Sequence, residues 1–204
     1  MIDIETFLAD LASLRRMEQT RLRSSFQLPS GFRLARELSI AAEYEWIVSP
    51  VMAQSFYAPR EAYFGVPASD RPQLEYWAAS LGECNWALAT GRESRVLALE
   101  IDTRSHSELL QHLCDERWGW QDTLQFHVGH RCFALFNYGE TGICRLGTES
   151  GLKLHYGAPI LIPPSRIGVE RIRYLNSGAP ILDAPVWLIQ YAAGQARSQF
   201  AGVR

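Results

Sequence analysis

The chain has 204 residues and a formal net charge of −2, and 47% of its residues are hydrophobic. This composition provides a sizeable core and lacks the basic excess of proteins that coat nucleic acid through charge alone. The acidic start and the lack of an apolar run of about 18 residues argue against a signal peptide and a membrane span, so we expect a cytoplasmic protein with no membrane partner. The four cysteines form no Cys-x-x-Cys pair and are expected to be free thiols.

Residues 1–30 are predicted to form a helical extension ahead of one larger domain at 31–204. Between residues 3 and 26, apolar side chains recur three or four positions apart, as on one face of a helix, and Asp3 is suited to its N-cap. Pro29 ends this segment. The helix is expected either to pack on the domain or to dock a partner.

Helices and strands alternate in the first half of the larger domain. In order, the predicted elements are a helix at 34–44, a strand at 46–48 ending at Pro50, a helix with Pro72 in its first turn, and strands at 85–90 and 95–102 joined by a turn. The last of these strands is an almost continuous apolar run, which is typical of a central strand.

The second half is predicted to be richer in strands. In order, the elements are a helix capped by Ser105, strands at 123–127 and 131–137 around a turn at Gly129, strands at 152–155, 159–162 and 171–175, and a helix at 184–197. Crossover helices combined with hairpins favour an α+β fold, with helices flanking a mixed or antiparallel sheet.

Six short segments have an order and spacing that carry family information. They lie at residues 41–50, 76–77, 85–91, 95–102, 160–165 (followed by Gly168 and Tyr174) and 185–188. Together they resemble the bifunctional DNA primase/polymerase (Prim-Pol) N-terminal domain family of the archaeo-eukaryotic primase superfamily, over residues 34–190. The resemblance implies a Prim-Pol-type fold, nucleotidyl transfer in DNA replication and Mg²⁺ or Mn²⁺ as cofactor. It also implies nucleotide or nucleic acid as ligand and a replication helicase as partner.

Glu100 and Asp102 are the candidate catalytic and metal-ligating residues. They stand two apart on a predicted strand, so both side chains emerge on one face and can share a cation. Mg²⁺ and Mn²⁺ prefer carboxylate oxygens, and the resemblance places these acids in the active site. The structural alternative is that they end the strand and that Asp102 caps the next helix. We expect the pair to open into a concave groove.

The turn at Gly129 is similar to the family's second motif, in which a histidine contacts nucleotide phosphate. Alignment on Gly129 puts Arg131 at the place of that histidine, and a turn shorter by one residue puts His130 there. His130 is therefore a candidate catalytic residue, or alternatively an ordinary turn histidine. Arg131 keeps its charge near neutral pH and is a candidate phosphate ligand.

The third motif departs from the family pattern. The resemblance predicts a further carboxylate on the strand before the Pro-Pro-Ser segment, where this chain has Leu152 or Lys153, and neither ligates Mg²⁺. We expect this strand to direct Lys153 or His155 towards the carboxylate pair, and both are candidate phosphate ligands. Glu149 in that place would instead restore a third acid. The active-site motifs are therefore interpreted as degenerate.

Ser165 and Arg166 follow the Pro-Pro pair and are candidate phosphate-binding residues at the rim of the site. The alternative is that the proline pair only stiffens a loop.

Three functions follow from these observations. The first is a catalytically impaired Prim-Pol-like domain that binds nucleotide or nucleic acid in a groove, and the missing third acid favours it. The second is an active DNA primase/polymerase, a nucleotidyltransferase whose acids are displaced. The third is a non-catalytic partner of a replication helicase.

Overall fold

The computed structural model describes residues 27–51, 69–81, 83–104, 122–138, 148–149 and 152–192. These residues form three helices and twelve strands, which confirms the α+β class. None of the described helices is long and apolar enough to cross a bilayer. The predicted helices at 3–26 and after Ser105 lie outside the described residues.

The helices are α1 (Arg36–Glu43), α2 (Arg71–Leu81) and α3 (Val186–Ala192). The strands are β1 (Val48–Val51), β2 (Asn85–Ala89), β3 (Val96–Asp102), β4 (Gln125–Val128), β5 (Arg131–Asn137), β6 (Thr148–Glu149), β7 (Leu152–His155), β8 (Pro159–Ile162), β9 (Arg166–Ile167), β10 (Glu170–Arg171), β11 (Arg173–Tyr174) and β12 (Leu182–Asp183).

The larger sheet has seven strands and contains the candidate site. Its strand order is β11-β4-β5-β3-β7-β6, and β12 pairs with β5 in parallel while the other pairs are antiparallel. β3 lies between β5 and β7, which agrees with its unbroken apolar run. β4 and β5 form the hairpin predicted around Gly129. The sheet is therefore mixed, as expected.

A smaller antiparallel sheet has the order β1-β2-β8. β1 starts at Val48 and runs through Pro50 to Val51, so the predicted strand at 46–48 lies too early in the chain. Pro50 is tolerated because β1 is an edge strand, where one residue can lack the N–H donor of the ladder.

β2 and β3 follow each other in the chain but belong to different sheets. The turn that joins them contains an isolated bridge between Gly91 and Val96. Gly91 has a φ of +103°, and a Cβ atom there would lie 2.7 Å from the main-chain nitrogen of Gly157. Only glycine fits both conditions, and it lets the loop before β8 pack against this crossover.

The predicted strand at 171–175 is divided in two. β10 pairs with β9, β11 pairs with β4, and the buried Ile172 separates them. The Ile172 N–H donates to the carbonyl of Ser165 at 2.8 Å, which fixes the bend between the small hairpin and the edge of the larger sheet. Sequence periodicity did not indicate this change of partner.

A hydrophobic core lies on each face of the larger sheet. Val96 and Ala98 of β3 point into a cluster shared with α1, α2 and the smaller sheet. Leu97 and Leu99 point into a second cluster, which Leu188 of α3 closes. Because side chains alternate along a strand, the even-numbered positions of β3 all face the first cluster.

Candidate phosphate-binding site

Glu100 and Asp102 lie side by side on one face of β3, as their spacing predicts. They share this face with Val96 and Ala98 and continue it beyond the apolar cluster. Glu100 is buried, whereas Asp102 is partly exposed at the end of the strand. One carboxylate therefore lies inside the protein and the other at its surface.

Basic side chains from both neighbouring strands enclose the Glu100 carboxylate. The Nε2 atom of His155 lies 2.7 Å from Oε2, and an Nη atom of Arg131 lies 3.3 Å from Oε1. Lys153 stands directly opposite Glu100 in the register of β7 on β3. Both oxygens of this carboxylate therefore have a partner from the protein itself.

Glu149 does not take the place of the third acid. β6 pairs Glu149 with Leu152, while Thr148 pairs with Lys153. The position across from Glu100 is held by Lys153, which is the arrangement expected from the degenerate third motif.

Asp102 forms a local turn with the residues that follow it. The Arg104 N–H donates to Oδ1 at 3.0 Å, and the Arg104 Nε atom lies 3.4 Å from the same oxygen. The His130 Nε2 atom lies 3.8 Å from Oδ2. The pKa of Asp102 is lowered below its ordinary value, first by the Arg104 N–H and then by the Arg104 guanidinium and His130. The carboxylate therefore stays ionised, and it accepts the main-chain bond of a turn; the helix that the structural alternative expected it to cap lies outside the described residues.

The β4–β5 turn brings His130 and Arg131 to the same place. The Thr103 N–H and hydroxyl both donate to the His130 carbonyl, at 2.9 and 2.8 Å. Arg104 Nη2 donates to the His130 Nε2 atom at 2.6 Å. Gly129 has a φ of +55°, and a Cβ atom there would lie 2.9 Å from a carboxylate oxygen of Glu170. Sequence reasoning missed Thr103 and Arg104, although their position directly after Asp102 was the available signal.

The Pro-Pro-Ser loop is held to β2 by reciprocal hydrogen bonds. The Ser165 hydroxyl accepts from the Trp86 N–H at 2.7 Å and donates to the Trp86 carbonyl at 3.2 Å. The Asn85 amide in turn accepts from the Arg166 N–H at 2.7 Å and donates to the Arg166 carbonyl at 2.8 Å. Each side chain thus satisfies the main chain of the other segment, and the Arg166 side chain remains exposed.

A cleft of about 610 Å³ lies beside this loop. Arg166 lines it together with Arg33 and Arg171, but neither Glu100 nor Asp102 does. The expected groove at the carboxylate pair is thus not this cleft.

The predicted site residues separate into two groups. Ser165 is fully buried, and its hydroxyl is hydrogen-bonded to the main chain of Trp86, so it holds the loop. We therefore do not propose it as a phosphate ligand. Arg166 faces the separate cleft. The remaining predicted residues, together with Arg104, meet at the end of β3 and are called the carboxylate cluster: Glu100, Asp102, Arg104, His130, Arg131, Lys153 and His155.

Comparison with known proteins identifies the family. No curated protein matches the chain. The sequence profile described as "Bifunctional DNA primase/polymerase, N-terminal" (Prim-Pol) matches residues 37–187. This range includes α1 except its first residue, every described strand of both sheets and every residue of the carboxylate cluster. Because this match covers well over half of the 204 residues, the chain belongs to the Prim-Pol family of bifunctional DNA primase/polymerase N-terminal domains.

Proposed function

We propose that this Prim-Pol domain binds the phosphate groups of a nucleotide or nucleic acid at the carboxylate cluster but has lost most or all nucleotidyl transfer. The observation that carries this proposal is the state of Glu100. Its carboxylate is buried and engaged by His155 and Arg131, and Lys153 stands opposite it. Each oxygen of this acid already has a partner from the protein, so a cation would have to compete with Arg131 and His155.

The residues present do not fit the divalent metals that Prim-Pol domains typically use. Two-metal nucleotidyl transfer needs acids on more than one element to clamp both ions. Within the described residues, no group of three or more His, Cys, Asp or Glu side chains is placed to hold a metal ion. Lys153 stands where the third acid is expected, and its charge opposes an incoming cation. We therefore propose no metal-dependent step.

Phosphate binding rests on the exposed arginines of the same cluster, with the His130 imidazole beside them. Arg104 is 68% exposed, and His130 and Arg131 are about one-third exposed. Arginine keeps its charge and its fork of donors suits phosphate oxygens. Asp102 opposes an anion, but Arg104 already lies beside it and offsets that repulsion. Binding can therefore persist where catalysis does not.

Two measurements on the same preparation test the proposal. Primer extension with Mg²⁺ or Mn²⁺ should give no template-dependent product above background. A fluorescent nucleoside triphosphate should bind. Arg104→Gln should weaken this binding about 5-fold or more, because it removes one charge-assisted hydrogen bond to phosphate. Arg92→Gln is the matched control, since Arg92 is also exposed and lies on the turn between β2 and β3.

Either of two results would overturn the proposal. Robust extension that disappears in both Glu100→Ala and Asp102→Ala would establish an active polymerase. Nucleotide binding that is equally strong in Arg104→Gln and Arg92→Gln would remove the carboxylate cluster from phosphate recognition.

A further inference from the structure

The carboxylate cluster carries a positive formal charge before any ion or ligand binds. It contains three cations, two carboxylates and two histidines. The cations are Arg104, Arg131 and Lys153, and the carboxylates are Glu100 and Asp102. With both histidines neutral the cluster has a net charge of +1, and protonation of either histidine would raise it further. A site built for divalent cations has the opposite sign, because carboxylates predominate among its ligands.

Each carboxylate of the cluster lies beside an arginine that offsets its charge. An Arg131 Nη atom lies 3.3 Å from Glu100 Oε1, and the Arg104 Nε atom lies 3.4 Å from Asp102 Oδ1. The His155 Nε2 atom lies 2.7 Å from the second oxygen of Glu100. The two acids therefore hold basic side chains in place, and the cluster as a whole keeps a positive charge.

Lys153 brings its charge to the position where a metal-binding site needs an acid. It is the register partner of Glu100 on the adjacent strand, so both side chains leave the sheet on the same face. Lys153 is partly exposed, whereas Glu100 is buried. A divalent ion in a phosphoryl-transfer site bridges phosphate oxygens and neutralises their charge. A lysine ammonium offers a positive charge and three donors to the same oxygens without a metal ion.

We infer that the carboxylate cluster binds its nucleotide as a metal-free polyphosphate anion, with Lys153 in the place of the divalent ion. This inference rests on the proposed function and adds the ionic form of the ligand. Mg²⁺ binds the phosphate oxygens of a nucleoside triphosphate and cancels two of its negative charges. The complex is attracted less by a positively charged cluster, and its ion would be brought close to Lys153. Mg²⁺ thus inhibits binding at this site.

The sign of the Mg²⁺ effect on the unmodified protein tests the inference. Fluorescence anisotropy with a labelled nucleoside triphosphate measures the affinity in EDTA and in excess Mg²⁺, with NaCl added to keep the ionic strength equal. The triphosphate should bind in EDTA, and excess Mg²⁺ should weaken this binding about 5-fold or more, the effect of one lost charge-assisted hydrogen bond. Inorganic tripolyphosphate should displace the nucleotide in EDTA and lose this ability in Mg²⁺, because the phosphate chain is what the cluster recognises.

Substitutions of Lys153 test whether this residue sets the sign of the effect. Lys153→Gln should weaken binding in EDTA about 5-fold or more and leave a smaller Mg²⁺ effect. Lys153→Asp changes the net charge of the cluster from +1 to −1, so Mg²⁺ should strengthen binding to this variant. Arg92→Gln is the matched control, since Arg92 is exposed on the turn between β2 and β3, and it should behave as the unmodified protein does.

The results that would overturn the inference also separate it from the proposed function. Binding to the unmodified protein that Mg²⁺ strengthens or leaves unchanged would overturn the metal-free form of the ligand but leave phosphate binding at the cluster. Equal affinities of Lys153→Gln and Arg92→Gln in EDTA would show that Lys153 does not take the place of the ion. A triphosphate that binds neither in EDTA nor in Mg²⁺ would overturn this inference and the proposed function together.

Discussion

The Nε2 atom of His155 lies 2.7 Å from the Oε2 atom of Glu100, and both side chains are buried. This contact joins two adjacent strands on the face that carries the candidate site. In a metal-binding cluster, neighbouring acids repel one another until a cation arrives, so each is costly to the metal-free fold. Here the acid has cationic and imidazole neighbours in place of other acids, and its expected contribution to the metal-free fold is favourable.

Replacement of Glu100 by alanine should therefore destabilise the metal-free protein. Removing one partner from a buried charged group typically costs about 3–5 kcal/mol, because the remaining groups keep their desolvation cost. Arg131 and His155 would be those remaining groups. Urea unfolding measures the change, and Glu93→Ala at an exposed turn position should change the free energy of unfolding by less than about 0.5 kcal/mol. A neutral or stabilising effect of Glu100→Ala would contradict the structural role.

Restoring an acid at the third motif should restore an affinity for divalent metal. Lys153→Asp places a second carboxylate across from Glu100. Without metal the two acids repel each other, so the melting temperature of this variant should fall. Mn²⁺ at about 100 times its Kd should then stabilise the folded variant by about 2.7 kcal/mol, which raises its melting temperature by roughly 5–10 °C. Lys153→Gln controls for the loss of the lysine and should show no rise with Mn²⁺. An equal rise in the unmodified protein would mean that metal binds without the third acid.

The sequence was most informative about the strands, where side chains alternate between the two faces and the spacing of two residues shows whether they share a face. The spacing of Glu100 and Asp102 predicted their common face, and the family resemblance predicted that the strand of Lys153 and His155 would lie beside them. The boundaries of β7 and β8 were predicted correctly, because turn residues frame short apolar runs.

The remaining features depend on contacts between distant segments. The Ser165 hydroxyl is hydrogen-bonded to Trp86, 79 positions away in the chain. A serine in the sequence does not show whether its hydroxyl binds phosphate or is buried and holds a loop in place. Pro50 ended a predicted strand because its edge position in the sheet was not readable from the chain. The cleft of about 610 Å³ was missed for the same reason, since its lining combines residues as distant in the chain as Arg33 and Arg166.

The pKa of Asp102 provides a test of the local turn. The largest cause of the lowered pKa is the main-chain N–H of Arg104, which Arg104→Ala retains. The pKa of Asp102 should therefore rise only partly in this variant and stay below 3.8. A carboxyl group whose pKa is lower in the folded than in the unfolded state stabilises the fold at pH values above the unfolded pKa. This stabilisation is lost as the pH falls through the folded pKa. The contribution of Asp102 should therefore be constant near neutrality and decline below about pH 4. Carboxyl chemical shifts measure it, with Asp102→Asn to assign the signal. A midpoint above 3.8 in the unmodified protein would contradict the turn geometry.

Replacement of Ser165 by alanine should destabilise the protein, although no charge changes. The substitution leaves the Trp86 N–H and carbonyl without their side-chain partner in a buried position, which costs about 1–3 kcal/mol. It also loosens the loop that places Arg166 at the cleft of about 610 Å³.

Urea unfolding measures the effect of Ser165→Ala. Ser39→Ala is the matched control, because within the described part of the chain the Ser39 hydroxyl makes one long bond, of 3.4 Å to the Ala35 carbonyl at the start of its helix. The loss of this bond should cost less than about 0.5 kcal/mol. If Ser165→Ala has the stability of Ser39→Ala, the loop is held mainly by the Asn85 amide.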